Sequence, residues 1–324
     1  MYHPRSVTPQ DWLARRTFHH RQFADTASLL EGKERQGLTV SVCIPTLNEA
    51  ATIGPIVETI RTELVESIPL IDELAVIDSG SGDGTVDAAA GAGAIVHQDR
   101  EIRPDLEPLS GKGEALWKSL FALRGDVILW LDADIVNFDP RFVCGPLGPL
   151  LTDPAVGYVK SFYERPVPEG TSLGGGRVTE LVARPLLNMF WPHLSGLIQP
   201  LSGEYAGRRS ILEQVPFLTG YGVEIGLIID VAEGYGVDVM AQVDLEDRIH
   251  RNRPIGELSR MAFAVLQSAL RRLASTGRAG FEGQPAIELS QFEKVDGEYR
   301  VLRTPIDVGE RPPAVTMAGY GVPR

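Results

Sequence analysis

GKGEALWKSLFAL (111–123), followed after two residues by DVILWLDAD (126–134), decides the fold. The first segment opens on glycines and carries apolar residues at helical spacing, so it reads as a helix. The second is apolar on both faces over VILWL and ends on two carboxylates. A strand without a polar face is covered on both sides, the habit of parallel sheets joined by helical crossovers. Outward from this unit the alternation repeats. LTVSVCI (38–44) is a buried-strand run, and 52–65 carries Ile53, Ile56, Ile60 and Val65 close to helical spacing. ELAVID (73–78), a helix over 86–92 and a short strand AIVH (94–97) continue the pattern. The expected class is α/β, a mainly parallel sheet flanked by helices, with ligands at the carboxyl ends of the strands. The unusual residues fall at those ends, over 45–49, 78–85 and 132–134.

Further along, GYVKSFYERP (157–166) reads as a strand, SLGGGRVTE (172–180) as a glycine loop entering a helix toward Phe190, and QPLSGEYAGRR (199–209) as a loop. VEIGLIIDVAEG (223–234) reads as a helix, DVMAQVDLEDRIHRNRP (238–254) as a strand with a polar exit, and 255–274 as a helix. Residues 1–37 form an extension with a helix over 9–30, and the Gly/Pro-rich tail 275–324 is expected to be extended.

Composition narrows the function classes. Lys plus Arg number 31 against 43 Asp plus Glu, a formal charge of -12 over 324 residues. Duplex nucleic-acid binders draw their affinity from Lys and Arg on phosphates, so that class is excluded, and anionic membrane surfaces with it. Apolar runs such as VILWL are far short of the roughly 20 residues of a membrane span, and residues 1–16 lack the apolar stretch of a signal peptide. Two cysteines without CxxC or Cys/His spacing argue against a disulfide framework or zinc site. A cytoplasmic protein is expected.

Four constellations carry chemistry. Asp132 and Asp134 stand at i and i+2, which alternation puts on one side of a strand, so both can converge on one hard divalent cation. Aspartates that merely cap the next helix would look alike. In IDSGSGDGT (77–85) the glycines allow close backbone approach to a ligand and Asp78 can accept from a base or ribose; Asp83 or Thr85 could equally be an N-cap. Neither GxxxxGK[ST] nor GxGxxG is present, which counts against P-loop and dinucleotide enzymes. PTLNEA (45–50) places Glu49 where a helix opens, and Lys112 stands between glycines at a helix start, where a cation and free N–H groups can hold a phosphate.

In this order, PTLNEAATI, IDSGSGDGT, GKGEALW and DAD resemble the GT-A glycosyltransferases that use sugar nucleotides. The later segments SFYERP, GGGRVTELVARPLL, QPLSGEYAGRR, GYGVEIGLIID and HRNRP resemble the glucosyl-3-phosphoglycerate synthases and their mannosyl-transferring relatives. The resemblance implies a GT-A type fold with a nucleotide-sugar half over 38–155 and an acceptor half over 156–254, followed by a helix and tail over 255–324. It implies that Pro45, Thr46, Leu47, Asn48 and Glu49, with Asp78, Ser79 and Lys112, hold the nucleotide. Asp132, with Ala133 beside it, would reach the ribose, and Asp134 and His250 would hold Mg2+ or Mn2+. Arg248 and Arg251 would lie near the donor phosphates, with Arg253 beside them, and Tyr221, Gly222, Val223 and Glu224 would contact the sugar. Gly175, Gly176, Arg177, Val178 and Thr179 would receive the acceptor phosphate; Asn252 and Arg253 would complete the site for its carboxylate.

The implied reaction is retaining transfer of glucose or mannose, from a GDP- or UDP-linked donor, to the 2-hydroxyl of D-3-phosphoglycerate. Glu224 would orient the sugar, with Leu201 and Ser202 lining the reaction face. An inverting GT-A enzyme acting on a lipid or polysaccharide, and a non-catalytic sugar-nucleotide sensor, are the competing readings. The resemblance and the helix over 255–274 imply a homodimer. Gathering Lys112, Arg177, Arg248, His250, Arg251 and Arg253 predicts a positive cleft on a negative protein.

Overall fold

The computed structural model describes residues 8–165, 176–249, 254–283 and 285–321. In chain order the elements are α1 (Pro9–Arg16), β1 (Thr17–His19), α2 (Thr26–Gln36), β2 (Val40–Thr46), α3 (Ala50–Ile60), β3 (Glu73–Asp78), α4 (Thr85–Ala92) and β4 (Ile95–Gln98). Next come α5 (Lys112–Ala122), β5 (Val127–Trp130), α6 (Arg141–Thr152), β6 (Tyr158–Glu164), α7 (Arg184–Phe190), β7 (Tyr205–Arg208), α8 (Arg209–Leu212) and β8 (Phe217–Leu218). The chain continues through α9 (Val223–Tyr235), β9 (Met240–Asp247), α10 (Ile255–Ser275), β10 (Glu288–Val295), β11 (Glu298–Pro305) and β12 (Glu310–Arg311).

Eight strands form one sheet in the order β1-β9-β6-β7-β5-β2-β3-β4. All pairings are parallel except those of β7, which runs antiparallel to both β5 and β6. Alternation along the central strands divides the core in two. Cys43, Ile128 and Trp130 join the layer that holds Trp117 of α5 and Ile225 of α9, while Val42, Val127 and Leu129 join the layer that holds Ile53 of α3 and Leu147 of α6. A strand buried on both faces is what the VILWL run demanded.

Three segments differ from the sequence reading. The helix expected over 9–30 is broken: Thr17–His19 is an edge strand parallel to β9, with separate helices before and after it. What locks this segment down is a close approach, since a Cβ on Gly148 of α6 would meet the Phe23 ring at 2.1 Å. The loop expected over 199–209 contains β7, which reverses direction inside the sheet. The tail is a two-stranded hairpin of β10 and β11, after which β12 pairs with β8. There Arg311 forms a bidentate ion pair with the fully buried Glu114 of α5, at 2.7 and 2.8 Å. No helix among the described residues is long and apolar enough to cross a membrane. Cys43 and Cys144 are free and buried.

Candidate active site

The site grows from the loops at the carboxyl ends of β2, β3 and β5. The first two are stitched to each other. Asn48, at φ 59°, donates its N–H to Ser81 Oγ (2.8 Å) and accepts from the Gly82 N–H at its Oδ1 (3.0 Å); the Glu49 N–H donates to Thr85 Oγ1 at 2.8 Å. Asp78 is the knot of this loop. Its carboxylate accepts from Thr46 Oγ1 (3.0 Å), the N–H groups of Gly80 and Ser81 (both 2.9 Å) and Gln98 Nε2 (3.3 Å). Burial pushes this carboxyl up, yet the Ser81, Gly80 and Thr46 donors prevail and hold it below the usual carboxylate range. Asp78 is therefore fully buried and spent on shaping the loop, whereas Ser79 next to it faces the cavity.

The strand expected over 126–134 ends at Trp130, so strand alternation does not place Asp132 and Asp134; the loop that leaves the sheet there turns both into one cavity of about 630 Å3. Thr52 of α3 ties this loop down by donating to the Ala133 carbonyl at 2.6 Å. Asp132 accepts from Lys112 Nζ at 2.6 Å and from Arg248 Nη2 at 3.2 Å; the same Nη2 reaches Asp134 Oδ1. Burial raises the Asp132 carboxyl, but the Lys112 ammonium and the Arg248 guanidinium hold it far below its ordinary value. Lys112, the first residue of α5, also pairs with Glu224 Oε1 at 2.9 Å. Glu224 stands in the first turn of α9, where a carboxylate answers the helix dipole. Asp132, Lys112 and Glu224 thus form one chain of alternating charge along the cavity floor.

The floor is closed by Leu201 and Gly203, which line the cavity, while Ser202 between them is 1% exposed and turned inward. A Cβ on Gly203 would lie 1.9 Å from Asp132 Oδ2, so this position admits only glycine against that carboxylate. Behind the floor stand two residues that motif reading passed over. Lys160 of β6 donates to the Ser202 carbonyl at 2.5 Å, and Glu204, fully buried, lies 3.4 Å from Arg248 Nε. The signal for Lys160 was a lysine inside an apolar strand; for Glu204 there was none.

Gly176, Arg177, Val178 and Thr179 form the opposite wall, joined by Tyr221 and, from α10, by Leu258 and Met261. Gly176 is at φ 93°, and Thr179 opens a π-helical turn that runs into α7. The donor-side residues Pro45, Thr46, Leu47, Asn48, Glu49 and Ala133 line the cavity as well. Gly222 and Val223 do not; both are packed in the interior beneath Tyr221. Gly175, His250, Arg251, Asn252 and Arg253 lie outside the described residues. The expectation of a positive cleft needs correction for the described lining. Lys112, Arg165, Arg177 and Arg248 face Glu49, Asp99, Asp132, Asp134 and Glu224, and the central cations are engaged with carboxylates.

The glycosyl transferase family 2 model matches residues 41–221. Glucosyl-3-phosphoglycerate synthase of Petrotoga mobilis is 48% identical over 314 residues, covering 96% of this chain and 97% of that protein. The crystal structure of mannosyl-3-phosphoglycerate synthase from Rubrobacter xylanophilus matches with a TM-score of 0.88 at 39% identity, covering 96% of this chain and 99% of that one. Glucosyl-3-phosphoglycerate synthase from Mycobacterium tuberculosis, solved with Mn2+, UDP and glucosyl-3-phosphoglycerate, matches with a TM-score of 0.81 at 41% identity, covering 93% of this chain and 99% of that one.

Proposed function

We propose, for a chain that belongs to glycosyl transferase family 2 and within it to the glucosyl- and mannosyl-3-phosphoglycerate synthases, that it transfers a hexosyl group from a nucleotide diphosphate sugar to the 2-hydroxyl of D-3-phosphoglycerate. The chain is a glycosyltransferase. The observation that carries the acceptor reading is the single cavity in which Asp132, Asp134, Lys112 and Glu224 face Gly176, Arg177 and Thr179. An anionic acceptor suits that second wall: backbone N–H groups beside a glycine, a guanidinium fork and a helix start are the chemistry of phosphate capture.

Asp134 fits a divalent cation. It is a cavity-facing carboxylate whose side chain is 27% exposed, one residue beyond the loop that Thr52 anchors, and hard cations choose such oxygen donors. Asp134, with His250, would hold Mg2+ or Mn2+, the ions with which the mycobacterial relative was solved. When bound, the ion offsets the charge that gathers on the leaving diphosphate. The chain's own residues do the rest. Pro45 to Glu49 and Ser79 hold the nucleotide, Asp132 takes the ribose, and Arg177 with Thr179 fixes the acceptor so that attack becomes effectively unimolecular.

The acceptor oxygen forms a bond to the anomeric carbon as the bond from that carbon to the diphosphate breaks. The hydroxyl proton passes to a diphosphate oxygen on the same face, so configuration is retained. Glu224 orients the sugar and does not attack it: its carboxylate is engaged by Lys112 at 2.9 Å, and its side chain is only 9% exposed. UDP-glucose is the first choice of donor: the Petrotoga relative is a glucosyl-3-phosphoglycerate synthase, and the mycobacterial relative was solved with UDP-glucose. GDP-mannose is the second; the likeness to the Rubrobacter mannosyl-3-phosphoglycerate synthase, at a TM-score of 0.88, supports its sugar.

Two free buried cysteines suit a reducing cytoplasm. The hairpin side chains Phe292 and Tyr299, 72% and 74% exposed, suit a homodimer that covers them, which light scattering on the purified chain measures. The functional test is a panel of UDP and GDP sugars with 3-phosphoglycerate, with and without Mg2+ or Mn2+. Acceptor-dependent, chelator-sensitive release of nucleoside diphosphate is expected; no turnover with any donor contradicts the reading.

A further inference from the structure

Beneath the cavity floor lies a cation that the reaction above does not use. Lys160 stands in β6 opposite Tyr205 of β7 and Gln242 of β9, and it is 1% exposed. An ammonium in a strand interior is costly unless it is bonded and its charge is answered. Its Nζ donates to the Ser202 carbonyl at 2.5 Å and lies 4.1 Å from the centre of the Tyr205 ring. Around it are the carboxylates of Glu224, Glu204 and Asp132 and the opposing ammonium of Lys112; burial outweighs them and pulls the Lys160 ammonium down to about 7. The two neighbouring phenols, Tyr158 and Tyr205, are pushed well above their ordinary value by burial and stay neutral.

The bonded carbonyl belongs to the one inward-turned residue of the floor loop, between Leu201 and Gly203, which both face the cavity. A trans peptide directs its C=O and the following N–H to opposite sides. Anchoring the Ser202 carbonyl therefore sets the plane of the Ser202–Gly203 peptide and with it the backbone on which Asp132 packs. A methionine of similar length would fill the same space without holding that plane.

We propose that Lys160 is a positioning residue for transfer, whose ammonium fixes the Ser202–Gly203 peptide so that the floor loop and the Asp132 carboxylate keep one geometry around the donor. The inference rests on reading 201–203 as the reaction face. A charged donor makes a hydrogen bond roughly twice as strong as a neutral one, so the anchor is strongest below about 7 and weakens as Lys160 loses its proton.

The test has two arms. In the first, the chain labelled with carbonyl-13C serine and 15N glycine isolates the Ser–Gly peptides, and Ser202→Ala identifies the Gly203 amide signal. In the free protein that signal is expected to titrate with a midpoint near 7 and to stop doing so in Lys160→Met. In the second, Lys160→Met is expected to lower kcat by roughly 100-fold, with donor KM moved less than about threefold, and to flatten the fall of kcat above neutral pH. A Gly203 signal that titrates in neither protein and has the same shift in the parent chain and in folded Lys160→Met overturns the proposal. A folded Lys160→Met that keeps kcat within about threefold overturns it too, as does one whose fall in kcat comes with a rise of about tenfold or more in KM for both substrates and a lowered Tm. If the parent chain transfers nothing to phosphoglycerate, the acceptor reading falls, while the Gly203 signal still decides whether Lys160 holds the loop.

Discussion

Gly203→Ala tests the construction of the site at its tightest point. The added Cβ would lie 1.9 Å from Asp132 Oδ2 and 2.2 Å from its Cγ, so one side must retreat by about 1.5 Å to reach ordinary contact. Asp132 cannot swing away freely, because Lys112 holds one oxygen at 2.6 Å and Arg248 the other at 3.2 Å. The loop is no freer, since Lys160 anchors the Ser202 carbonyl. Gly203 has no positive φ, so backbone strain does not enter and the contact alone is read. Overpacking of this size costs about 1–3 kcal/mol of stability. Misplacing a group that positions the donor by about 1 Å costs on the order of 100-fold in rate, or about 2.7 kcal/mol at 1.36 kcal/mol per tenfold. Steady-state kinetics with varied donor and acceptor, beside thermal unfolding, measures both. Gly91→Ala is the control, since a Cβ there, on α4 away from the floor, meets nothing within 4 Å. A Gly203→Ala enzyme within about twofold of the parent would refute the geometry of the floor.

Other expectations follow from the same contacts. Lys112→Met removes the shared counter-ion of Asp132 and Glu224, so kcat/KM for the donor falls by about 1000-fold, roughly 4 kcal/mol. In the parent, Asp132 is held below the unfolded value near 3.9, so it stays charged while the unfolded chain takes up its proton, and the stability it contributes above that value is lost progressively as pH falls toward its lowered folded value. In Lys112→Met that hold weakens, and an acidic limb is expected in the pH profile of kcat/KM; an unchanged profile counts against the pairing. Arg311→Met leaves Glu114 with Lys118 alone, at 3.3 Å, and costs about 1.5–3 kcal/mol in denaturant unfolding; a loss under about 0.5 kcal/mol would mean that the C-terminal strap does not hold α5. Burial pushes the Cys43 and Cys144 thiols up to about 12, so iodoacetamide should label neither in the native chain at pH 8 and both after unfolding, read by mass spectrometry.

What could be read from the sequence was local. The parallel core was visible because VILWL has no polar face, and Asp132, Asp134, Lys112 and Glu49 were visible because each stands at the end of such a strand or the start of a helix. What stayed hidden depends on contacts distant in the chain. Tyr205–Arg208 reads as loop because its strand character comes from two neighbours, β5 and β6, that flank it in the sheet. Thr17–His19 is a strand only because β9 lies beside it. Composition could not show that Lys112 and Arg248 would be engaged by Asp132, Asp134 and Glu224, and this is why the described cleft alternates in charge where a positive one was expected. Asp78 was placed at the right strand tip, but its neighbours claim its oxygens for the loop itself. Lys160 was legible only as an oddity, a lysine among apolar residues, until Ser202 was found above it.

The most direct test of the central claim is proton NMR of the product formed from a donor 13C-labelled at the anomeric carbon, 3-phosphoglycerate and Mn2+-free Mg2+ buffer. The account predicts a hexosyl-3-phosphoglycerate linked through the 2-oxygen of the acceptor, with the anomeric configuration of the donor. An inverted product, a different acceptor oxygen, or an unchanged spectrum would contradict it.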